Sequence, residues 1–272
     1  MLKDITLGQF YPAESPVHRM DPRVKIMAAL AFIVAIFFVD NLWGFLFTAI
    51  FVICVTKLSS LRLSMVVRGI KPILFLVMFT ALINMFMTGG EIVVLFGYPL
   101  EWGPLKVSRE GVYNAVVMAL RLVFLVTGTS LLTLTTSPIL LTDGIERLLS
   151  PFRRIGLPAH ELAMMMTIAL RFIPTLLEET DKIMKAQMAR GADFESGNLI
   201  KRAKALIPIL VPLFISSFRR ADELATAMEC RCYRGGEGRT RLRELKICGR
   251  DYGAGIIMFC FITGIALLGI YC

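Results

Sequence analysis

The sequence is short of charge. Lys, Arg, Asp and Glu make up 19% of the 272 residues while 56% are hydrophobic, against roughly 25% and 45–50% in ordinary soluble domains. That balance points away from a soluble globular domain and toward a polytopic membrane protein. Acidic residues are the scarcer sign, 21 against 30 basic, for a formal charge of +9. No aromatic–basic stacking platform accompanies the excess, so nucleic-acid binding is not expected; in a membrane chain, Lys and Arg mark cytoplasmic loops. The six cysteines, at 54, 230, 232, 248, 260 and 272, form no disulfide-like framework, as suits a reducing face or lipid burial. Residues 1–21 lack the apolar core of a signal peptide, and no cleavable leader is expected. A P-loop, a phosphate-cradling Gly-rich loop and an HExxH pattern are missing too. Gly235-Gly236-Glu237-Gly238 has no strand before it and no Lys-Ser/Thr after it, and reads as a linker. The chain is expected to be no enzyme and to bind no cofactor.

What is present is a series of apolar runs. The first, Ile26 to Thr56, is interrupted by Asp40-Asn41. Lys3, Arg19, Arg23 and Lys25 precede it and Lys57, Arg62, Arg68 and Lys71 follow it. Basic flanks on both sides require two crossings with an outer turn at Asp40-Asn41, giving spans near 24–40 and 42–57. A third span is expected over 69–88, with Pro72 near its cytoplasmic start, and a fourth over 111–136. Between them, Gly89 to Glu110 reads as an outside loop, partly re-entrant around Ile92 to Phe96. Arg121 sits inside the fourth span, where a charge is costly; it either locks helices together, meets a partner or snorkels to an interface. A last span runs over 251–272.

Between 137 and 250 the character changes, with dense basic residues, interleaved acids and apolar residues at helical spacing. A short amphipathic helix over Leu141 to Arg154 leads through Gly156-Leu157-Pro158 into a long helix ending near Arg190. A second pattern, from Leu199 to about Arg231, is expected to bend at Pro208 and Pro212. Basic residues on both sides of Ala205–Phe218 argue that these helices lie along or beneath the inner membrane surface. The organisation expected is all-α: four spans in 1–136, a cytoplasmic domain of long crossed helices in 137–250, and a final span in 251–272.

The two long helices end alike. Ala189-Arg190-Gly191 closes one and Cys230-Arg231-Cys232 closes the other, 41 positions apart between the arginines. Small neighbours allow close approach of another surface, a guanidinium offers a fixed fork of donors, and a cation at a helix C-terminus suits the dipole. The plain alternative is an ordinary C-terminal helix charge. Cys230-x-Cys232 could alternatively supply half of a metal site, but a four-coordinate zinc needs two more ligands, Cys248 is the one nearby candidate, and His18 and His160 are remote in sequence, so no metal site is expected. Met165, Met166, Met184 and Met188, with Phe214 and Phe218, mark an apolar surface that suits an adaptable partner contact or a membrane-facing stripe.

These features are joined by Ser15-Pro16-Val17-His18-Arg19-Met20-Asp21-Pro22-Arg23, Thr135-Thr136-Ser137-Pro138, Glu146-Arg147-Leu148-Leu149-Ser150-Pro151-Phe152 and Arg171-Phe172-Ile173-Pro174. Together they resemble the transmembrane (T) component of energy-coupling factor transporters, over nearly the whole chain, and the shared-module type more than the dedicated cobalt type. The resemblance implies a non-catalytic subunit in a bacterial cell membrane. Two ABC ATPase subunits, which carry ATP and Mg, would dock at Ala189-Arg190-Gly191 and at Cys230-Arg231-Cys232. A small membrane-embedded substrate-binding (S) protein would sit on the apolar helix surface for uptake of vitamins or other micronutrients. At the second motif cysteines stand where the family has small residues. A substrate-translocating permease of an ordinary ABC importer and a non-transport membrane scaffold are the alternative readings.

Overall fold

A computed structural model describes residues 10–89, 94–95, 98–99, 101–102, 105–106, 108–156, 158–194, 198–235, 245 and 247–271. In chain order the helices are α1 (Pro22–Phe37), α2 (Leu42–Leu58), α3 (Leu63–Ile70), α4 (Leu74–Met87), α5 (Arg109–Thr135), α6 (Pro138–Leu149), α7 (Ala159–Ala189), α8 (Leu199–Ala205), α9 (Ile207–Cys230) and α10 (Gly249–Tyr271). They fall into two compact units, Gly8–Gly144 with Leu245–Cys272, and Ile145–Glu244.

In the first unit, Asp21 caps α1 by accepting the Arg23 N–H at 2.9 Å, and Pro22 supplies the fixed φ that suits a first helical position. The chain leaves α1 at Phe37 and re-enters helix at Leu42, so Asp40-Asn41 is a turn, as its polarity predicts. The helix that carries the third apolar run begins at Leu63, six residues before the start expected for the span. Leu63–Met87 runs on as one apolar helical stretch of 25 residues, tightened to a 3₁₀ turn at Lys71–Ile73, where Pro72 offers no N–H. Arg62 immediately precedes this stretch, while Arg68 and Lys71, read from sequence as basic flanks of the preceding run, lie within it. Ser108 opens α5 by accepting the Gly111 N–H, and its own hydroxyl donates to Thr88 O, both at 2.8 Å. Between α4 and α5, residues 94–95 pair with 98–99 and 101–102 with 105–106 as two-residue antiparallel ladders; the re-entrant segment expected at Ile92–Phe96 falls partly outside the described residues.

The core of this unit is aromatic. Phe261 of α10 is fully buried, 4.1 Å from Phe51 and 5.7 Å from both Phe32 and Phe47, ring centroid to centroid. Gly128 lets α5 meet α1: a Cβ there would stand 2.4 Å from the Phe32 ring. Buried Thr48, Thr56 and Thr135 donate to the carbonyls of Gly44, Val52 and Leu131 at 2.7–2.8 Å, which satisfies their hydroxyls within their own helices.

In the second unit, the chain passes from the end of α6 through a 3₁₀ turn at Ser150–Ile155 and Gly156, at φ +89°, into α7. Pro158 precedes its first residue and Pro174 lies within it. The pattern over 199–231 is two helices, because Pro208 interrupts the ladder: α8 stops at Ala205, Leu206 turns, and α9 begins with Pro208 in its first turn. Pro212 remains inside α9.

Among the described residues, four helices are long and apolar enough to cross a membrane: Leu63–Met87, Arg109–Thr135, Ala159–Ala189 and Gly249–Ile270; Leu42–Leu58 is a shorter apolar helix. The sequence-based topology leaves α7 out of the membrane. By length and composition it qualifies, because its first half carries few charges and Glu178, Glu179, Asp181, Lys182 and Lys185 are gathered toward its second. The protein is an all-α polytopic membrane protein.

Candidate functional site

The two arginines end their helices in the same turn. In α7, Gly191 N–H bonds Met188 O at 2.9 Å and Ala192 N–H bonds Gln187 O at 3.0 Å. In α9, Cys232 N–H bonds Glu229 O at 2.8 Å and Tyr233 N–H bonds Met228 O at 3.0 Å. Each pair is the reciprocal six-to-one and five-to-two closure of a Schellman cap. Arg190 and Arg231 hold the C-cap position in each, with φ −88° and −91°. The residue that follows must turn left-handed: Gly191 does so at φ +88° and Cys232 at φ +56°. A Cβ on Gly191 would meet nothing within 4 Å, so glycine is there for its backbone freedom. Both arginines are exposed, as are Ala189, Gly191, Cys230 and Cys232.

The helices that carry them run antiparallel. His160 Nε2 lies 3.4 Å from Tyr233 Oη, Arg220 Nη2 lies 3.1 Å from Glu179 Oε2, and Gln187 Nε2 donates to Pro208 O at 3.3 Å. As the numbers rise along α7 they fall along α9. Arg190 therefore stands beside the start of α9 and Arg231 beside the start of α7. The stretch from His160 to Gln187 separates them by about 40 Å along the α7 axis at 1.5 Å per residue.

Met165, Met166, Met188, Phe214 and Phe218 are exposed and Met184 is half-buried. On α9 the exposed face is wider than those two phenylalanines. Ile207, Leu210, Val211, Phe214, Ile215 and Phe218 recur at three and four, so a continuous apolar stripe lies open on one side of the helix.

At Cys230 and Cys232 no group of three His, Cys, Asp or Glu side chains gathers among the described residues. His160, distant in sequence, is brought close to this end, but it turns its Nδ1 to Glu146 Oε1, at 3.0 Å, and its Nε2 to Tyr233. Glu146 entered the sequence reading only within its family motif and His160 only as a remote metal candidate; their contact with Tyr233, and the Glu179–Arg220 pair, were not anticipated. The available signal was the position of Tyr233, directly after Cys230-Arg231-Cys232.

Two charged features of the first unit have structural partners. Arg121 reaches the α1–α2 turn, where its Nη2 bonds Val39 O and Asp40 Oδ1, both at 3.0 Å, and its guanidinium lies 5.9 Å from the Phe37 ring centroid. Tyr113 Oη donates to Asp40 O at 2.7 Å. The arginine thus locks α5 to the α1–α2 turn. The Ser15–Lys25 motif is a latch. Ser15 Oγ bonds His18 Nδ1 at 2.7 Å, and His18 Nε2 donates to Tyr11 O at 3.0 Å. Buried Lys25 donates to His18 O at 3.1 Å and to Thr135 O, at the end of α5, at 2.9 Å. Asp251 of α10 accepts the N–H of Asp21 at 2.9 Å and of Cys248 at 2.7 Å. Burial lowers the pKa of His18, assisted by the positive charge of Lys25 and opposed by its carbonyl bonds. The motif's conspicuous side chains are spent on tying α1, α5 and α10 together.

Comparison with known proteins gives a consistent picture. A family model described as "Cobalt transport protein" (CbiQ) matches residues 13–242. The "Energy-coupling factor transporter transmembrane protein EcfT" of Clostridium kluyveri is 61% identical over 256 residues, 94% of this chain and 93% of its own length. The protein of the same name from Thermosediminibacter oceani is 55% identical over 268 residues, 98% of this chain and 97% of its own. That from Bacillus subtilis is 48% identical over 252 residues, covering 92% and 93%.

Proposed function

Because this chain belongs to the EcfT/CbiQ family of transporter transmembrane proteins, we propose that it couples two ABC ATPase subunits to a small membrane-embedded substrate-binding protein. Arg190 and Arg231 each dock on one ATPase subunit from the cytoplasmic side, with Ala189, Gly191, Cys230 and Cys232 forming the small walls of the two contacts. ATP and Mg are held by those subunits. Closure of the ATPases on ATP moves the two docked ends, and the antiparallel α7–α9 pair carries the motion to the substrate-binding protein. That protein packs on the apolar surface that includes Met165, Met166, Met184, Met188, Phe214 and Phe218, and releases a vitamin or other micronutrient inside the cell.

The observation that carries this reading is that two exposed arginines end two packed helices in the same Schellman turn, at opposite ends of one antiparallel pair. A rigid pair with matched termini suits two like partners acting at once. An isolated helix charge has no need of a matched copy about 40 Å away.

The test is coupled uptake in cells or vesicles containing the full chain, both ATPases and the substrate-binding protein. Truncating a paired interfacial arginine costs about 2–5 kcal/mol. Arg190→Ala and Arg231→Ala should each weaken ATPase association, and the double variant should abolish uptake. Wild-type uptake by the double variant overturns the proposal. Substrate binding by the purified chain alone, without ATPases or a small binding protein copurifying, would assign it to an ordinary importer permease.

A further inference from the structure

We infer that Glu146, His160 and Tyr233 form a positioning relay that holds the Arg231 end in its docking conformation; this rests on the docking proposed above. Three separate segments converge there. Tyr233 is the residue on which the α9 cap closes, its N–H bound to Met228 O at 3.0 Å, and it lies two positions from Arg231. Its phenol reaches His160 Nε2, at the start of α7, at 3.4 Å. His160 Nδ1 meets Glu146 Oε1, near the end of α6, at 3.0 Å, and the Glu146 side chain is only 12% exposed. A carboxylate only accepts, so Nδ1 carries a proton toward Glu146, and Nε2 on the other side of the ring shares a hydrogen bond with the Tyr233 hydroxyl.

The two arginine ends differ in a way that explains the relay. At Arg190 the left-handed residue is Gly191, for which φ +88° carries no Cβ penalty, and the closing residue is Ala192, whose methyl reaches no polar partner. At Arg231 the left-handed residue is Cys232, whose Cβ disfavours φ +56°. The end with the strained turn is the one whose next residue is tied down by side-chain hydrogen bonds. Tyr233 thereby offsets the cost of cysteine in a glycine position and keeps Arg231 directed outward.

Epistasis separates this role from a general loss of folding. Affinity of the full chain for its co-expressed ATPase subunits is measured in nanodiscs in two backgrounds. In Arg190→Ala the complex depends on the Arg231 end. There, Tyr233→Phe and His160→Ala should each weaken binding about five- to tenfold, the loss expected for one hydrogen bond, and Glu146→Gln, which keeps an acceptor, should lose less than Glu146→Ala. In Arg231→Ala the same changes should have no effect. Cys232→Gly should restore binding to Tyr233→Phe, because glycine holds the turn unaided. Equal losses in both backgrounds, no loss in either, or no rescue by Cys232→Gly overturns the relay while leaving the docking reading in place. If Arg231→Ala itself binds ATPases like the parent chain, the docking reading fails and the relay with it.

Discussion

Gly191 and Cys232 occupy the same position in two copies of one helix-ending turn, at φ +88° and +56°. A single backbone requirement is met by different residues, and the difference is energetic as well as chemical. A β-carbon in the left-handed region costs about 1–2 kcal/mol, less the extra unfolded-state entropy of glycine, about 0.5–1 kcal/mol. Cys232→Gly should therefore stabilise the C-terminal turn of α9 by about 0.5–1 kcal/mol, and Gly191→Ala should destabilise that of α7 by a similar amount. Amide hydrogen exchange at 228–233 and 187–192 reads both. Slower exchange in Gly191→Ala would contradict the assignment.

The Arg121–Asp40 contact predicts an unequal pair of losses. Asp40 is 82% exposed on its side chain and Arg121 14%. An ion pair with one solvated partner is worth at most about 1 kcal/mol, so Asp40→Asn should barely change thermal unfolding in detergent. Arg121→Met also removes the bond to Val39 O and strands that carbonyl, at about 1–3 kcal/mol. A larger loss from Asp40→Asn than from Arg121→Met would show that the ion pair, not the carbonyl bond, does the locking.

Lys25 is buried and serves two carbonyls, one of them the terminal Thr135 O of α5. Lys25→Met fills the same volume but leaves both carbonyls without their donor, and should cost about 2–4 kcal/mol from two such losses. Arg19→Ala, on the exposed Arg19–Glu14 pair of the same segment, should fall within about 0.5 kcal/mol of wild type. Comparing unfolding midpoints of the two variants checks the assignment of the latch.

His18 predicts the direction of one pH effect. Its pKa in the folded chain is below the ordinary 6.5, chiefly through burial. As pH falls past 6.5 the unfolded chain takes up the proton first, so the stabilisation present above 6.5 is lost as pH falls through the folded value. The slope is at most about 1.4 kcal/mol per pH unit. His18→Gln, which cannot titrate, should show a shallower fall in unfolding temperature between pH 7.5 and 5. An equally steep fall in that variant would place the titrating group elsewhere.

What the sequence determined by itself was local. Asp40-Asn41 ends one apolar run and starts another, Gly156 and Pro158 break and restart the chain before α7, and the paired small-Arg-small endings mark two helix termini. Each depends on residues a few positions apart, whose backbone preferences survive any packing. Even the cap at Arg190 was legible as a glycine after the last helical residue, though not the φ adopted by Cys232. Only the tertiary structure decided what lies across the fold. It brought Asp40 to Arg121 across 81 positions, Thr135 to Lys25 across 110 and His160 to Tyr233 across 73. A long-range hydrogen bond depends on which helix faces pack against each other, and periodicity alone leaves that open, because many pairings bury the same apolar stripes.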